Sequence, residues 1–223
     1  MKKLFLTLNI ILAAGVFTGN YFYLTEGGLL LKSLCSSGFA LLGIINLIYT
    51  VIAKKKNVKF AVSMSVGLVL AMLGDIFLGF DFIVGASLFA GGHICYFIGQ
   101  SFLKKVRVKD LAISAVIFLC AGSFILFCPL LTFDTPVMKW VCLAYAMIIS
   151  LMVGKSISNV SNEKSVLTIV LAMGCVLFFF SDLMLVFDWF MNGGRITGLL
   201  CMSTYYPAEI MLAWSVFLSA NKE

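Results

Sequence analysis

Two aspartates lie inside long apolar runs, and the two runs match each other. Residues 74–82 (GDIFLGFDF) return in altered form as residues 181–189 (SDLMLVFDW), which aligns Asp75 with Asp182 and Asp81 with Asp188. A carboxyl group in hydrocarbon is costly, so such residues are rare and face a bundle interior or a water-filled cavity. Two of them at matched positions point to a paired-carboxylate site. Carboxyl groups that share one low-dielectric pocket separate their proton affinities, leaving one as an acid and the other as an anion. The pair then supplies acid and base together.

Other polar residues stand at spacings that can serve such a pair. His93, the only histidine, has Tyr96 at i+3 and Gln100 at i+7 on the same helical face. Tyr205, Tyr206 and Glu209 form a second polar group, broken into by Pro207, which lacks the N–H that would bond the preceding turn. Lys32 is a third. Each has a plainer reading: a buried hydrogen-bonding histidine, interfacial tyrosines, a lysine snorkelling to the headgroups. Asp81 and Asp188, at helix ends, read best as caps or hydrated groups. Glu209 is harder to dismiss, because it lies well inside an apolar segment.

The elements that must position these residues follow from composition. Hydrophobic residues make up 62% of the chain, 12% is charged, and mean hydropathy is +1.09. This is an all-α membrane protein, a single polytopic domain over residues 1–223. Apolar stretches able to cross a hydrocarbon core of ~30 Å occur at 4–24, 29–52, 60–80, 82–103, 110–130, 136–156, 165–190 and 196–219. They predict eight transmembrane helices. The matched acids predict a 4+4 parallel duplication, with halves 1–107 and 108–223 related by an axis along the membrane normal.

Basic residues set the orientation, because Lys and Arg gather in short cytoplasmic loops. Lys2, Lys3, Lys54, Lys55, Lys56, Lys59, Lys104, Lys105, Arg107, Lys109, Lys155, Lys164 and Lys222 fall on one side; Lys139 and Arg195 fall on the other, and Lys32 lies within helix 2. Both termini are therefore expected in the cytoplasm, and the protein in a bacterial cytoplasmic membrane. The net charge of +6 is a topology signal and calls for no nucleic-acid partner. On this topology Asp75 lies about 8 Å below the outer boundary and Asp182 about 12 Å, with His93 near mid-membrane. The first apolar run has a signal-peptide flavour, but no clean small-x-small site follows it, so it reads as a retained helix. Seven cysteines without Cys-x-x-Cys spacing read as small core residues.

The strings LGDIFL (73–78), FAGGHICY (89–96), FSD (180–182) and YYPAE (205–209) resemble those of the YhhN-like lysoplasmalogenase family. The resemblance covers length, span number and motif order. It implies hydrolysis of the vinyl ether bond of lysoplasmalogens, releasing a fatty aldehyde and a glycerophospho-alcohol, with Asp75 and Asp182 as the catalytic pair. Two positions depart from the family pattern. Ser33 follows Lys32 where the family typically has proline, and Glu209 stands where an uncharged polar residue, often Gln, is expected.

That reaction suits the residues. Protonation at carbon gives an oxocarbenium-like transition state, water adds, and a hemiacetal collapses, so a proton donor and a stabilising anion are needed. Asp75 and Asp182 are the expected donor–anion pair. His93, Tyr96, Tyr205, Tyr206 and Glu209 are expected to support the pair or orient water, and Lys32 to attract the phosphate of the lysophospholipid substrate. No cofactor is expected, and a single histidine argues against a metal centre. A small proton-coupled transporter using the acids as a relay is the alternative. It sits less well with acids in the outer half, since alternating-access sites lie nearer the midplane.

Overall fold

The structure, a computed structural model, describes residues 1–221; Lys222, counted above with the cytoplasmic basic residues, lies outside them. Within that range the chain forms eight helices: α1 (Lys2–Glu26), α2 (Leu29–Ile52), α3 (Val58–Phe77), α4 (Phe82–Leu103), α5 (Val108–Phe127), α6 (Pro136–Asn162), α7 (Val166–Met191) and α8 (Gly194–Ala220). The helices α1 to α7 are each long and apolar enough to cross a membrane. Helix α8 is 27 residues long and carries the tyrosine pair and Glu209. It packs against α1, α2, α3 and α7, so protein rather than lipid surrounds much of it, and polar side chains there are tolerated.

Most helix ends fall within two residues of the sequence expectation; the C-terminal ends of α3, α5 and α6 differ by more, each for a local reason. Helix α3 stops at Phe77 rather than 80, because the chain turns at once into α4, where the Asp81 side chain caps the helix by accepting from the Val84 N–H at 2.9 Å. A Cβ on Gly85 would stand 2.6 Å from the Leu78 Cα, so glycine is required for this close turn. Helix α5 ends at Phe127, since Cys128 precedes Pro129 and is extended (φ −72, ψ 116). Helix α6 runs six residues beyond the expected 156, through a serine- and asparagine-rich stretch that hydropathy reads as loop. Its serines bond back to their own helix, Ser156 to the Val153 carbonyl and Ser161 to that of Ser158.

The extension places Lys155 inside α6, not beside a loop. It is 1% exposed, pairs with Asp110 of α5 at 2.6 Å and donates to the Lys105 carbonyl at 2.9 Å. The cysteines are all free. Cys35, Cys142, Cys175 and Cys201 are buried as expected of core residues, Cys95 and Cys128 are half-buried, and Cys120 is exposed.

Six helices close a ring in the order α2, α3, α4, α6, α7, α8, and α3 also touches α8 across it. Helix α1 lies outside against α2 and α8, and α5 lies outside against α6. Neighbour relations repeat along the chain: α1–α2, α2–α3, α3–α4 and α2–α8 recur as α5–α6, α6–α7, α7–α8 and α6–α4. The close backbone approaches α1–α8 and α3–α8 have no counterpart at α5–α4 and α7–α4; α4 and α7 meet only through side chains, among them Phe82 with Trp189 and Phe89 with Phe178. A gap lined by α4, α5, α6 and α7 is left there.

The basic segments collect at one end of the bundle. Lys104 pairs with Glu163 at 2.5 Å, Lys109 donates to Ser161, and Asn57 donates to the Ser219 carbonyl. The opposite end is closed by Thr132 bonding the Phe190 carbonyl and by Phe82 stacking against Trp189.

Candidate active site

Asp75 occupies the last turn of α3 and is 2% exposed. Its Oδ1 pairs with the Lys32 Nζ at 2.8 Å. Its Oδ2 faces the Ser36 hydroxyl in a very short contact and the Tyr206 hydroxyl at 3.4 Å. Lys32 and Ser36 are one turn apart on α2 and so present one face to α3; Tyr206 reaches in from α8. A pair this buried is expensive to break, since removing one partner leaves an uncompensated charge at about 3–5 kcal/mol.

Asp182 is set differently. Its Oδ2 accepts from the Tyr145 hydroxyl of α6 at 2.6 Å, and His93 Nε2 of α4 lies 2.7 Å from that hydroxyl and 3.4 Å from the carboxylate. This arrangement has two proton orders. With a proton on Nε2, hydrogen bonds run from His93 to Tyr145 to Asp182; with the proton on Asp182, they run the other way and Nε2 accepts. Histidine can therefore return a proton to the carboxyl through the tyrosine.

The third acid, Glu209 of α8, is fully buried and accepts from the Tyr96 hydroxyl of α4 at 2.8 Å. Its Oε1, the Tyr205 hydroxyl and His93 Nδ1 are buried without a protein hydrogen-bond partner among the described residues. An aromatic layer separates the two aspartate sites. Phe178 stands edge-on to His93 (4.6 Å between centroids) and to Tyr205 (5.4 Å), and Tyr205 packs against Phe89 and Tyr206. Among the described residues no hydrogen bond joins the Asp75 and Asp182 carboxyls. Gln100 lies apart, on the Met152 carbonyl, while Asp188 accepts from Thr197 at 3.0 Å near the end of α7.

A cavity of about 300 Å³ opens in the gap beside α4. It is walled by Phe82, Phe89, Phe124, Val141, Phe179 and other apolar side chains from α4, α5, α6 and α7, with Leu78 from the turn after α3, and its ionisable or hydroxyl-bearing lining groups are Asp182, Tyr145, Cys120 and Cys142. Asp75 does not line it. A second cavity, of about 500 Å³, lies at the far end and is lined by Lys32, Asp188, Trp189, Arg195 and Tyr23 among others. Leu78 and Leu185 line both.

Sequence reasoning missed Tyr145, Ser36 and Arg195. A single tyrosine or serine in an apolar helix gives no signal of its own, and only helix packing brings Tyr145 to Asp182.

A model of the YhhN family matches residues 35–216. The chain belongs to the YhhN family. The YhhN match includes Asp75, His93, Tyr145, Asp182 and Glu209 with the helices that carry them, and begins after Lys32. No curated protein and no solved structure matches the chain.

Proposed function

We propose that this YhhN family member is a membrane hydrolase that cleaves the vinyl ether bond of lysoplasmalogen-like lysophospholipids, giving a fatty aldehyde and a glycerophospho-alcohol. The observation that carries the reading is Asp182 with Tyr145 on the wall of an otherwise apolar cavity. A single hydrocarbon chain fits such walls, and the carboxyl is the proton donor that reaches it. Cavities of this size and apolar lining, with a few convergent polar groups, are the usual form of a small-molecule site.

In the proposed reaction Asp182 gives its proton to the alkenyl carbon one removed from the ether oxygen. The adjoining carbon becomes an oxocarbenium centre, water adds to it, and the hemiacetal collapses to aldehyde and alcohol. One water is consumed, and its surplus proton returns to Asp182 directly or through His93 and Tyr145. Asp75, its charge met by Lys32 and its other oxygen held by Ser36 and Tyr206, contributes by fixing α2, α3 and α8 beside the acid site rather than as a free anion. Tyr96 with Glu209, and Tyr205 with Tyr206, hold the α4–α8 face against which His93 is positioned.

Two further elements of the reading concern the whole bundle. The matched acids and the recurring neighbour relations support a parallel duplication of a four-helix unit. The basic end of the bundle supports a cytoplasmic position for both termini, in a bacterial cytoplasmic membrane.

The test is aldehyde release from a 1-alkenyl lysophospholipid by purified protein in nanodiscs. The hydrolase reading expects stoichiometric fatty aldehyde and its loss in Asp182→Asn. Absence of aldehyde from a folded wild type overturns it.

A further inference from the structure

The two cavities adjoin at Leu78 and Leu185 yet differ in chemistry. The inner one is apolar apart from the groups named above, whereas the outer one brings together charges of both signs. Lys32 faces this outer cavity with its charge already met by Asp75. Arg195 is exposed there and has no carboxylate within ion-pair distance among the described residues. Asp188 is likewise exposed in the same cavity, and its only hydrogen bond among those described comes from Thr197. The hairpin between α7 and α8 produces this arrangement. Asn192 takes the left-handed conformation (φ 52) and Gly194 a positive φ (70), so the chain reverses within three residues and sets Arg195 beside the end of α7.

From this we infer that the outer cavity is a headgroup-reading site, distinct from the acid site, in which Arg195 binds the lipid phosphate and Asp188 the headgroup amine. Guanidinium is the side chain best suited to two phosphate oxygens at once. A carboxylate close by would repel that phosphate, and its place in the cavity is explained by a cationic group on the same ligand. Trp189 and Tyr23 add aromatic faces for that cation. The lipid then runs past Leu78 and Leu185, with its single chain in the inner cavity. The assignment rests on the lysophospholipid reading given above, but it concerns binding and needs no turnover.

The experiment uses saturated 1-O-alkyl lysolipids, which carry no vinyl ether to cleave, with phosphoethanolamine or phosphoglycerol heads. Dissociation constants are measured for full-length protein in nanodiscs. The wild type is expected to prefer the phosphoethanolamine head. Arg195→Gln is expected to weaken both lipids by roughly ten- to a hundredfold, the worth of a hydrogen bond to a charged group. Asp188→Asn is expected to abolish the preference by weakening only the amine-bearing lipid. Both side chains are exposed, and a thermal melt confirms that each variant is folded. Unchanged constants in both variants, or no binding to the wild type, overturn the inference. Head-selective binding without aldehyde release from the alkenyl lipid upholds it while rejecting the hydrolase.

Discussion

The Tyr145 hydroxyl stands 2.6 Å from Oδ2 of Asp182, and both residues face the same apolar cavity. The contact joins α6 to α7 and makes the carboxyl available to a chain lying in the gap. Tyr145→Phe removes the hydroxyl yet keeps the ring, and should lower kcat by roughly tenfold, the order of one hydrogen bond. Asp182→Asn should cost roughly 10²- to 10⁴-fold, the range for general acid catalysis. Aldehyde release at saturating lysolipid measures both. Equal activity in Asp182→Asn and wild type would remove the proton donor from the scheme.

Asp75 and Asp182 have separate partners, so their contributions should combine as independent terms. The free-energy losses of Asp75→Asn and Asp182→Asn are expected to add within about 0.5 kcal/mol in the double variant. A double variant no worse than the poorer single one would instead mark the acids as one coupled unit, as the sequence alone led us to expect.

Lys32→Met leaves Asp75 without its counter-charge and should destabilise the protein by about 3–5 kcal/mol. Asp75→Asn strands Lys32 in the same way. The combination Lys32→Met with Asp75→Asn should recover much of that loss, because no lone charge then remains. Unfolding midpoints in one detergent settle the comparison, and a double variant as unstable as the sum of the singles would contradict it. The same cycle at the other end of the bundle, Lys155→Met with Asp110→Leu, should behave alike while leaving kcat of the folded protein unchanged.

Membrane orientation is open to direct measurement. A cysteine placed at 56 or 106 in a background lacking native cysteines should resist an impermeant maleimide in intact cells and react after lysis. Labelling from outside would invert the bundle and move both cavities to the cytoplasmic leaflet.

Much of the helical order was legible in the sequence because hydrocarbon length and turn chemistry are local. The interval 82–103 coincides with α4, set by the Asp81 cap on one side and the basic cluster on the other. Asp75 and Asp182 stood out because a carboxyl in an apolar run violates the surrounding pattern. Partner choice did not show. Nothing local to Tyr145 says that α7 lies opposite, and Lys155 reads only as a basic residue flanking the loop after the sixth span, because the Asp110 that neutralises it lies 45 positions away.

The leucine pair between the cavities bears on how a reaction there would finish. On the proposed reading, a lysolipid drawn past Leu78 and Leu185 would carry its head in one compartment and its hydrocarbon in the other, with the scissile bond near the threshold. Cutting that bond leaves each fragment already sorted by solubility. The aldehyde can drain sideways into the bilayer through the gap beside α4, and the phospho-alcohol outward into water. Neither fragment needs to cross the leucines again, so departure of one does not wait on the other.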